Sequence, residues 1–371
     1  MGNLLPVSKP SVGKEELEKI KEVFLTNWLG MGSFVKEFED AIMDFINTRH
    51  VVAVNSGSSA IHLAIDVLGL EAQDEIITPS LTFAAAIQAI ICSGARPVFC
   101  DVDEETLNID IRKAQKMISK KTRAILPVHY CGNPVDMDAL LGLAQAHKLV
   151  IIEDACHSFG SSYKGRKIGS FGHMTCFSFD PVKVITCGEG GCITTSHDGW
   201  SELLRKKRLL GIDKDTWSRY KNKRSWHYDV VTQGYRYHMS NINAAIGLAQ
   251  MEKIRQFIQK RQEIVARYDN TFRDIPELRI LKKDIGGVSP YCYIIRVKKD
   301  RDKLMHFLKE KGIETGIHYI PNHLQTVFKR YASKLPVTER VWKEILTLPL
   351  YYDMSDAEVR LVLDSIKDFY R

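Results

Sequence analysis

The stretch VVAVNSGSSAIHLAI, residues 51–65, joins an apolar run directly to a helical pattern. Its first four residues form a continuous apolar run typical of a buried strand, and small polar residues at 55–59 lead directly into a helical pattern. A helix that starts this closely after a strand presents free backbone N–H groups, which can bind a phosphate. The same Ser and Gly residues are also common helix caps, so both interpretations stay open for this motif alone.

The alternation of apolar runs and helical patterns continues to about residue 195. The later apolar runs are EIITP, RPVFCDV, RAILPVHY, LVIIED, TCFSF and CITT. Strands buried on both faces have this composition, so the pattern predicts an α/β domain with a mostly parallel sheet flanked by helices. A long helical pattern at 244–272 then leads to a smaller α+β domain. We predict a large domain at 1–255 and a small one at 256–371, the latter with strands at YCYIIRV and near TGIHYI and a last helix opened by SDAE.

Composition indicates a globular protein and argues against a membrane protein, a secreted protein and a nucleic-acid-binding protein. The chain has 371 residues, 44% of them hydrophobic, and no apolar window long enough for a membrane span or an ordinary signal peptide. Its eight cysteines form no C-x-x-C pair, which favours reduced thiols and a cytoplasmic location. The net charge of +7 is modest, and the basic clusters lack aromatic platforms, so we expect an anionic small molecule as partner and no nucleic acid.

Two charged residues follow predicted buried strands. Lys183 lies in FSFDPVKVITCGEGG, residues 177–191, and Asp154 ends the run LVIIED. A desolvated lysine amine can attack a carbonyl carbon, and a carboxylate at a buried strand end needs a cationic or hydrogen-bonded partner. The structural alternatives are a solvated loop for Lys183, and a turn-capping role for Asp154 with His157 as a core histidine.

A phosphate-binding turn, a lysine and a buried carboxylate are the three features needed to hold pyridoxal 5'-phosphate (PLP). Because ligands of parallel sheets gather at the carboxyl ends of the strands, the three features are expected to meet. We predict no metal site, because His318 and His323 have no Cys or carboxylate companion. The sequence therefore favours a PLP-dependent enzyme.

The sequence resembles the DegT/StrS-type sugar aminotransferases along nearly its whole length. Matching blocks, in the family's order, include NWLGMGSFVKEFE, VNSGSSAIHLAI, TPSLTFAAAIQAI, PVHYCGNPVDMDAL, IIEDACHSFGSSYKGRKIGSFG, FSFDPVKVITCGEGG, GYRYHMSNINAAIG and GIHYIPNH. The resemblance implies a fold-type I PLP-dependent transferase with a seven-stranded sheet. It further implies transfer of the amino group of L-glutamate to C3 or C4 of a nucleotide-linked keto sugar, in amino-sugar, O-antigen-type polysaccharide or glycoside biosynthesis.

The resemblance also assigns cofactor contacts residue by residue. Lys183 would bind the cofactor covalently, and Asp154 would contact its pyridine nitrogen. The remaining contacts would be His157 near the ring hydroxyl, Phe83 on the ring face, and Gly57, Ser58 and Ser178 at the phosphate. The block GYRYHMSNINAA approaches the neighbouring subunit's cofactor in this family, so a homodimer with shared active sites is implied.

This sequence departs from the family at two positions. Asp180 stands where the family often has histidine, and it would either affect substrate choice or only cap the turn. Arg236 stands where the family often has an asparagine that contacts the phosphate across the dimer, so it would contact that phosphate or face the substrate's nucleotide. The predicted substrate contacts are Arg219, Arg224, Arg236, His318, Tyr319 and His323.

Two alternative functions remain at this point. One is another fold-type I activity, such as an amino-acid lyase or a sugar dehydratase; the family's dehydratase branch replaces the lysine with histidine, so Lys183 argues against it. The other is a non-catalytic regulator on the same fold, which would not need the lysine, the carboxylate and the phosphate-binding turn together.

Overall fold

The computed structural model describes residues 4–213 and 228–371. A seven-stranded sheet forms its centre. Its strands are β1 (His50–Val54), β2 (Glu75–Pro79), β3 (Arg96–Cys100), β4 (Thr122–Ile125), β5 (Val150–Asp154), β8 (Met174–Ser178) and β9 (Gly191–Thr195), in the order β1-β9-β8-β5-β4-β2-β3. In this order, the neighbouring pairs β8-β5, β5-β4, β4-β2 and β2-β3 are parallel. Strand β9 is antiparallel to both of its neighbours, β1 and β8. The predicted α/β architecture is confirmed.

The sheet is buried on both faces. In β1, Val51 and Ala53 belong to one apolar cluster, and Val52 and Val54 belong to another on the opposite face. This arrangement explains the continuous apolar runs, since consecutive side chains of a strand point to opposite faces.

The helices are Lys14–Leu25, Ser33–Ile46, Gly57–Asp66, Ala84–Cys92, Ile111–Met117, Met137–His147, Asp198–Lys207, Asn241–Phe272, Arg301–Glu310, Pro336–Val341 and Asp356–Phe369, and the 3-10 turns are Tyr130–Gly132, Asn322–Leu324 and Thr326–Tyr331.

The C-terminal part contains a three-stranded antiparallel sheet with its own apolar core. Its strands are β10 (Leu278–Ile280), β11 (Tyr293–Val297) and β12 (Ile345–Leu348). Between β5 and β8 of the large sheet, β6 (Ser162–Tyr163) and β7 (Arg166–Lys167) form a separate hairpin. The predicted strand at YCYIIRV and the last helix, capped by Ser355 and Glu358, are confirmed. The predicted strand near TGIHYI is wrong: Gly316 makes one isolated bridge to Thr347, and the chain then turns toward the large sheet.

The helix Asn241–Phe272 passes through both apolar cores. Ala244, Ala245 and Phe257 pack in the core of the large sheet, whereas Tyr268 and Phe272 pack in the core of the small sheet. The predicted boundary at residue 255 falls inside this helix and stays a prediction.

No helix within residues 4–213 and 228–371 is long and apolar enough to span a membrane. The parallel strands β5 and β8 end at Asp154 and Ser178, and the turn before Gly57 lies beside them. The carboxyl ends of these strands therefore border the site described next.

Candidate active site

A cavity of about 300 Å³ lies at the carboxyl ends of β5 and β8. Both parts of the chain form its wall, since residues 291, 318 and 319 come from the C-terminal part. Its lining residues are Ser56, Gly57, Ser58, Ile61, Thr82, Phe83, Ala85, Asp154, Cys156, His157, Ser178, Asp180, Val182, Lys183, Glu189, Tyr291, His318 and Tyr319. The structure thus brings together nine residues that the sequence predicted for the site: Gly57, Ser58, Phe83, Asp154, His157, Ser178, Lys183, His318 and Tyr319.

One end of the cavity is the start of the helix Gly57–Asp66. Ser56 caps this helix by accepting a hydrogen bond from the Ser59 N–H at 3.1 Å. The backbone at Gly57 packs so closely on Ser178 that a Cβ atom at Gly57 would lie 2.7 Å from the Ser178 Cβ. Glycine is therefore required here by the close approach of two chain segments, and the first N–H groups of the helix lie where an anion can reach them.

We expect Gly57→Ala to weaken cofactor binding about tenfold or more, because the added methyl group must push Ser178 or the turn aside where charge-assisted contacts to the phosphate form. The dissociation constant of the cofactor, followed by its visible absorption, measures this effect.

Gly142→Ala is the matched control for this substitution. Gly142 lies in the helix Met137–His147, and a methyl group added to it would have no atom within 4 Å, so alanine there should leave cofactor binding unchanged. Equal cofactor affinity in Gly57→Ala and the control would contradict a phosphate contact at this turn.

Asp154 is the buried carboxylate of the site. One of its oxygens accepts a hydrogen bond from the Cys156 N–H at 3.1 Å. Burial raises the pKa of Asp154 above its ordinary value, and the contacts with Cys156 and the charge of Lys183 offset this only in part. A buried carboxylate with so little compensation can receive a cationic donor, such as a protonated ring nitrogen.

Three stacked or tilted rings line the wall beside Lys183. The His157 ring stacks on Tyr291 with centroids 4.3 Å apart, and its Nε2 lies 3.0 Å from the Tyr319 hydroxyl. His157 Nδ1 is buried without a hydrogen-bond partner among the described residues. Burial and the nearby charge of Lys183 hold the pKa of His157 well below its usual value, so its ring is neutral at neutral pH.

Lys183 lies in the turn after β8. Its Nζ lies 4.2 Å from the centroid of the Tyr291 ring, and its backbone N–H donates to the Asp180 carbonyl at 3.1 Å. Burial and the charge of Lys183 lower the pKa of His318 to about 4. Lys183 is the one lysine or arginine among the described residues that line the cavity.

Two acidic side chains, Asp180 and Glu189, line the cavity beside Lys183. An Asp180 carboxylate oxygen accepts the Val182 N–H at 3.1 Å, so this residue caps the turn that carries Lys183. Sequence reasoning missed Glu189, which lines the cavity from the GEGG run; burial and the Asp180 charge raise the pKa of Glu189. The GEGG run gave no sign that its glutamate faces the site.

Several predicted substrate residues do not line this cavity. His323 is buried, and its Nδ1 lies 2.7 Å from the Ser80 hydroxyl, so it holds the 321–324 segment against the large sheet instead of lining the cavity. Arg236 is exposed and bridges to Leu209, away from the cavity of its own chain. Arg219 and Arg224 lie outside the described residues.

The cavity fits pyridoxal phosphate in three respects. It offers free helix N–H groups beside Ser178 for a phosphate, an under-compensated carboxylate at Asp154 for a ring nitrogen, and an amine at Lys183 for an aldehyde. The unpartnered Nδ1 of His157 can meet a polar group of a ring. These groups surround a single cavity, as a PLP-dependent enzyme requires.

Fold and cavity together define a PLP-dependent enzyme. The chain belongs to the DegT/DnrJ/EryC1/StrS aminotransferase family, whose profile matches residues 10–367. The spore coat polysaccharide biosynthesis protein SpsC of Bacillus subtilis is 37% identical over 380 residues, which cover 100% of this chain and 98% of SpsC. The chain is thus an enzyme of the sugar aminotransferase family.

Solved structures support the same assignment. The sugar aminotransferase CalS13 from Micromonospora echinospora matches with a TM-score of 0.91 and 28% identity, covering 98% of this chain and 100% of CalS13. Spr1654 from Streptococcus pneumoniae in its PMP-form matches with a TM-score of 0.92 and 29% identity over 98% of both chains. Spr1654 is also known in a PLP-form, in agreement with the cofactor predicted from the sequence.

Proposed function

We propose that this enzyme transfers the amino group of L-glutamate to C3 or C4 of a nucleotide-linked keto sugar, for the synthesis of an amino sugar used in a polysaccharide or glycoside. The observation that carries the proposal is the meeting of Lys183, Asp154 and the Gly57 turn around one cavity. SpsC is described as a spore coat polysaccharide biosynthesis protein, which supports a polysaccharide pathway. We also propose a cytoplasmic location, since all eight cysteines are free thiols, as is usual in a reducing compartment.

Lys183 is the proposed proton-transferring residue. Bound pyridoxal phosphate supplies an electron sink that weakens the bond between the α-carbon of the amino donor and its hydrogen. The Lys183 amine then takes that proton at Nζ, as a general base. Burial and the charge of Lys183 hold the pKa values of His157 and His318 below their ordinary value, so neither ring competes with Lys183 as the base.

Asp154 is the proposed partner of the ring nitrogen. Its burial makes the isolated carboxylate unfavourable, so pairing with a protonated nitrogen relieves that cost and keeps the proton on the nitrogen. His157 would contact the ring hydroxyl through Nδ1, and Phe83, which is exposed and tilted against Tyr319, would cover the ring face.

The charge balance of the cavity supports a contribution from a second subunit. Asp154, Asp180 and Glu189 line it together with Lys183, and no arginine lines it among the described residues. A phosphate and an anionic substrate need additional cations. We propose a homodimer in which the partner subunit's Arg236 approaches this cavity, with Arg219 and Arg224 near the substrate's pyrophosphate.

The sugar is proposed to contact His318 and Tyr319. Both belong to the C-terminal part and border the cavity, and Thr347 fixes the His318 ring through a 2.8 Å contact to Nδ1. A neutral histidine and a phenol can both donate and accept hydrogen bonds to sugar hydroxyls. His323 has no place in this contact set, because Ser80 already holds it.

A substrate panel tests the proposed function. We expect UDP-, dTDP- or GDP-linked keto sugars to accept an amino group from glutamate with a KM at least about 100-fold below that of the same sugar without its nucleotide, since two charge-assisted contacts contribute about 1.5–3 kcal/mol each. Product formation by mass spectrometry gives the regiochemistry. Comparable turnover of the unlinked sugar would contradict a nucleotide site, and elimination of ammonia from an amino acid would favour a lyase.

A further inference from the structure

The amino group of Lys183 rests on an aromatic ring. Its Nζ lies 4.2 Å from the centroid of Tyr291, within the range at which an ammonium is attracted to a ring face. Across residues 4–213 and 228–371, no hydrogen bond or ion pair to this Nζ is present. The Tyr291 ring is thus the contact that fixes the free lysine.

The ring itself is held firmly. Tyr291 is 5% exposed, and the His157 ring stacks on it with an interplanar angle of 18°. Its backbone carbonyl accepts a hydrogen bond from the buried Arg261 at 3.1 Å. These contacts come from both the loop after β5 and the long helix, so the ring has little freedom to move away from the lysine.

We propose that Tyr291 is a positioning residue for the proton transfer, because its ring face holds the Lys183 amino group whenever the lysine is not bonded to the cofactor. The lysine chain is long and flexible, so without the ring its amino group samples positions from which the donor's α-carbon is out of reach. The ring attracts the ammonium more than the neutral amine, which favours the state in which the proton has left the carbon. This inference rests on the proposed role of Lys183.

The test compares three variants of the full-length enzyme loaded with cofactor. Tyr291→Phe keeps the ring and removes the hydroxyl, whereas Tyr291→Leu and Tyr291→Met remove the ring and keep apolar volume. We expect kcat to fall about 3- to 30-fold in the Leu and Met variants, with little change in KM or in cofactor affinity. The kcat of Tyr291→Phe should stay within about threefold of the wild-type kcat, since the ring face persists.

The isotope effect distinguishes positioning from a general structural defect. With glutamate deuterated at its α-carbon, the ratio of the rates for hydrogen and deuterium should rise in Tyr291→Leu and Tyr291→Met, because proton transfer becomes the slowest step. A merely destabilised enzyme would lose cofactor or unfold earlier and would show an unchanged isotope effect.

Two outcomes would separate this inference from the proposed function. Equal kcat and equal isotope effects in the Phe, Leu and Met variants would overturn the role of Tyr291, while an inactive Lys183→Ala would leave the role of the lysine intact. If instead Lys183→Ala retained full activity, the proposed function and this inference would both be wrong. A larger loss in Tyr291→Phe than in Tyr291→Met would assign the effect to the hydroxyl and also overturn the inference.

Discussion

Replacement of Lys183 by alanine is expected to lower amino transfer at least about 10³-fold and to remove the visible absorption of the covalently bound cofactor. General base catalysis alone contributes about 10²- to 10⁴-fold, and the covalent attachment of the cofactor is lost in addition. Both half-reactions should fail together, because the same amine serves the donor and the acceptor. Stopped-flow absorption with glutamate, followed by the keto-sugar substrate, measures each half separately.

Lys167→Ala is the matched control for this experiment. Lys167 is also a half-buried lysine above an aromatic ring, with its Nζ 5.0 Å from the centroid of Phe45, but it does not line the cavity. Its Nζ donates to the Gly160 carbonyl at 2.6 Å. The control should keep the absorption and the activity. If Lys183→Ala still bound the cofactor covalently, another amine would have to be the attachment point.

Asp154→Asn should have opposite effects on activity and on stability. The substitution removes the charge that keeps the ring nitrogen protonated, and loss of such a preorganised electrostatic contact lowers kcat about 10²- to 10³-fold. In the cofactor-free protein the same substitution should raise the melting temperature at pH 8. The reason is that the folded protein holds the pKa of Asp154 above its ordinary value of 3.8, so its ionisation costs free energy of folding.

The sign of this effect predicts its pH dependence. A neutral Asp154 contributes its full stability below pH 3.8, and that contribution is lost as the pH rises through the raised pKa of the folded protein. The gain from Asp154→Asn should therefore disappear in acid and grow toward neutral pH. Melting curves of the cofactor-free protein from about pH 4 to 8 measure it; a lower melting temperature at pH 8 would show that the carboxylate is better compensated than the structure indicates.

Glu39→Gln is the control, because neutralising this buried carboxylate should lower the stability of the protein where Asp154→Asn raises it. Glu39 is buried and pairs with Arg205 and Arg208, and its carboxylate also accepts the Ala53 N–H at 2.9 Å. The two arginines and this N–H hold the pKa of Glu39 below its ordinary value of 4.5 against the effect of burial, so the charged form stabilises the fold above that pH. Glu39→Gln should destabilise the protein by about 3 kcal/mol, because it leaves a buried arginine without its partner.

The sequence predicted the architecture and the centre of the cavity for a physical reason. Apolar runs buried on both faces identify the strands of a covered central sheet, and the parallel strands of such a sheet place their carboxyl ends at one edge. Residues that follow those strands, such as Asp154, Ser178 and Lys183, must then lie close together. The cap at Ser56 was also predictable, since small residues there connect a strand directly to the helix Gly57–Asp66.

The contribution of the C-terminal part was much less predictable. Tyr291 precedes a strand of the small sheet, and its approach to Lys183 depends on how two separate cores pack, which no local pattern encodes. The run TGIHYI has the alternation of a strand but turns toward the cavity instead of pairing along its length. For the same reason His318 and His323 looked equivalent in the sequence, although only His318 reaches the cavity.

The two-part wall of the cavity has a consequence for biosynthesis of the protein. A ribosome makes the chain from the N-terminus, so Gly57, Asp154 and Lys183 emerge well before residues 291 and 319. The large sheet can fold early, yet the nascent chain then has an open trough in place of a closed pocket, with its acidic groups still facing water. Capture of the cofactor is therefore expected to be a late event, which follows synthesis of the C-terminal part.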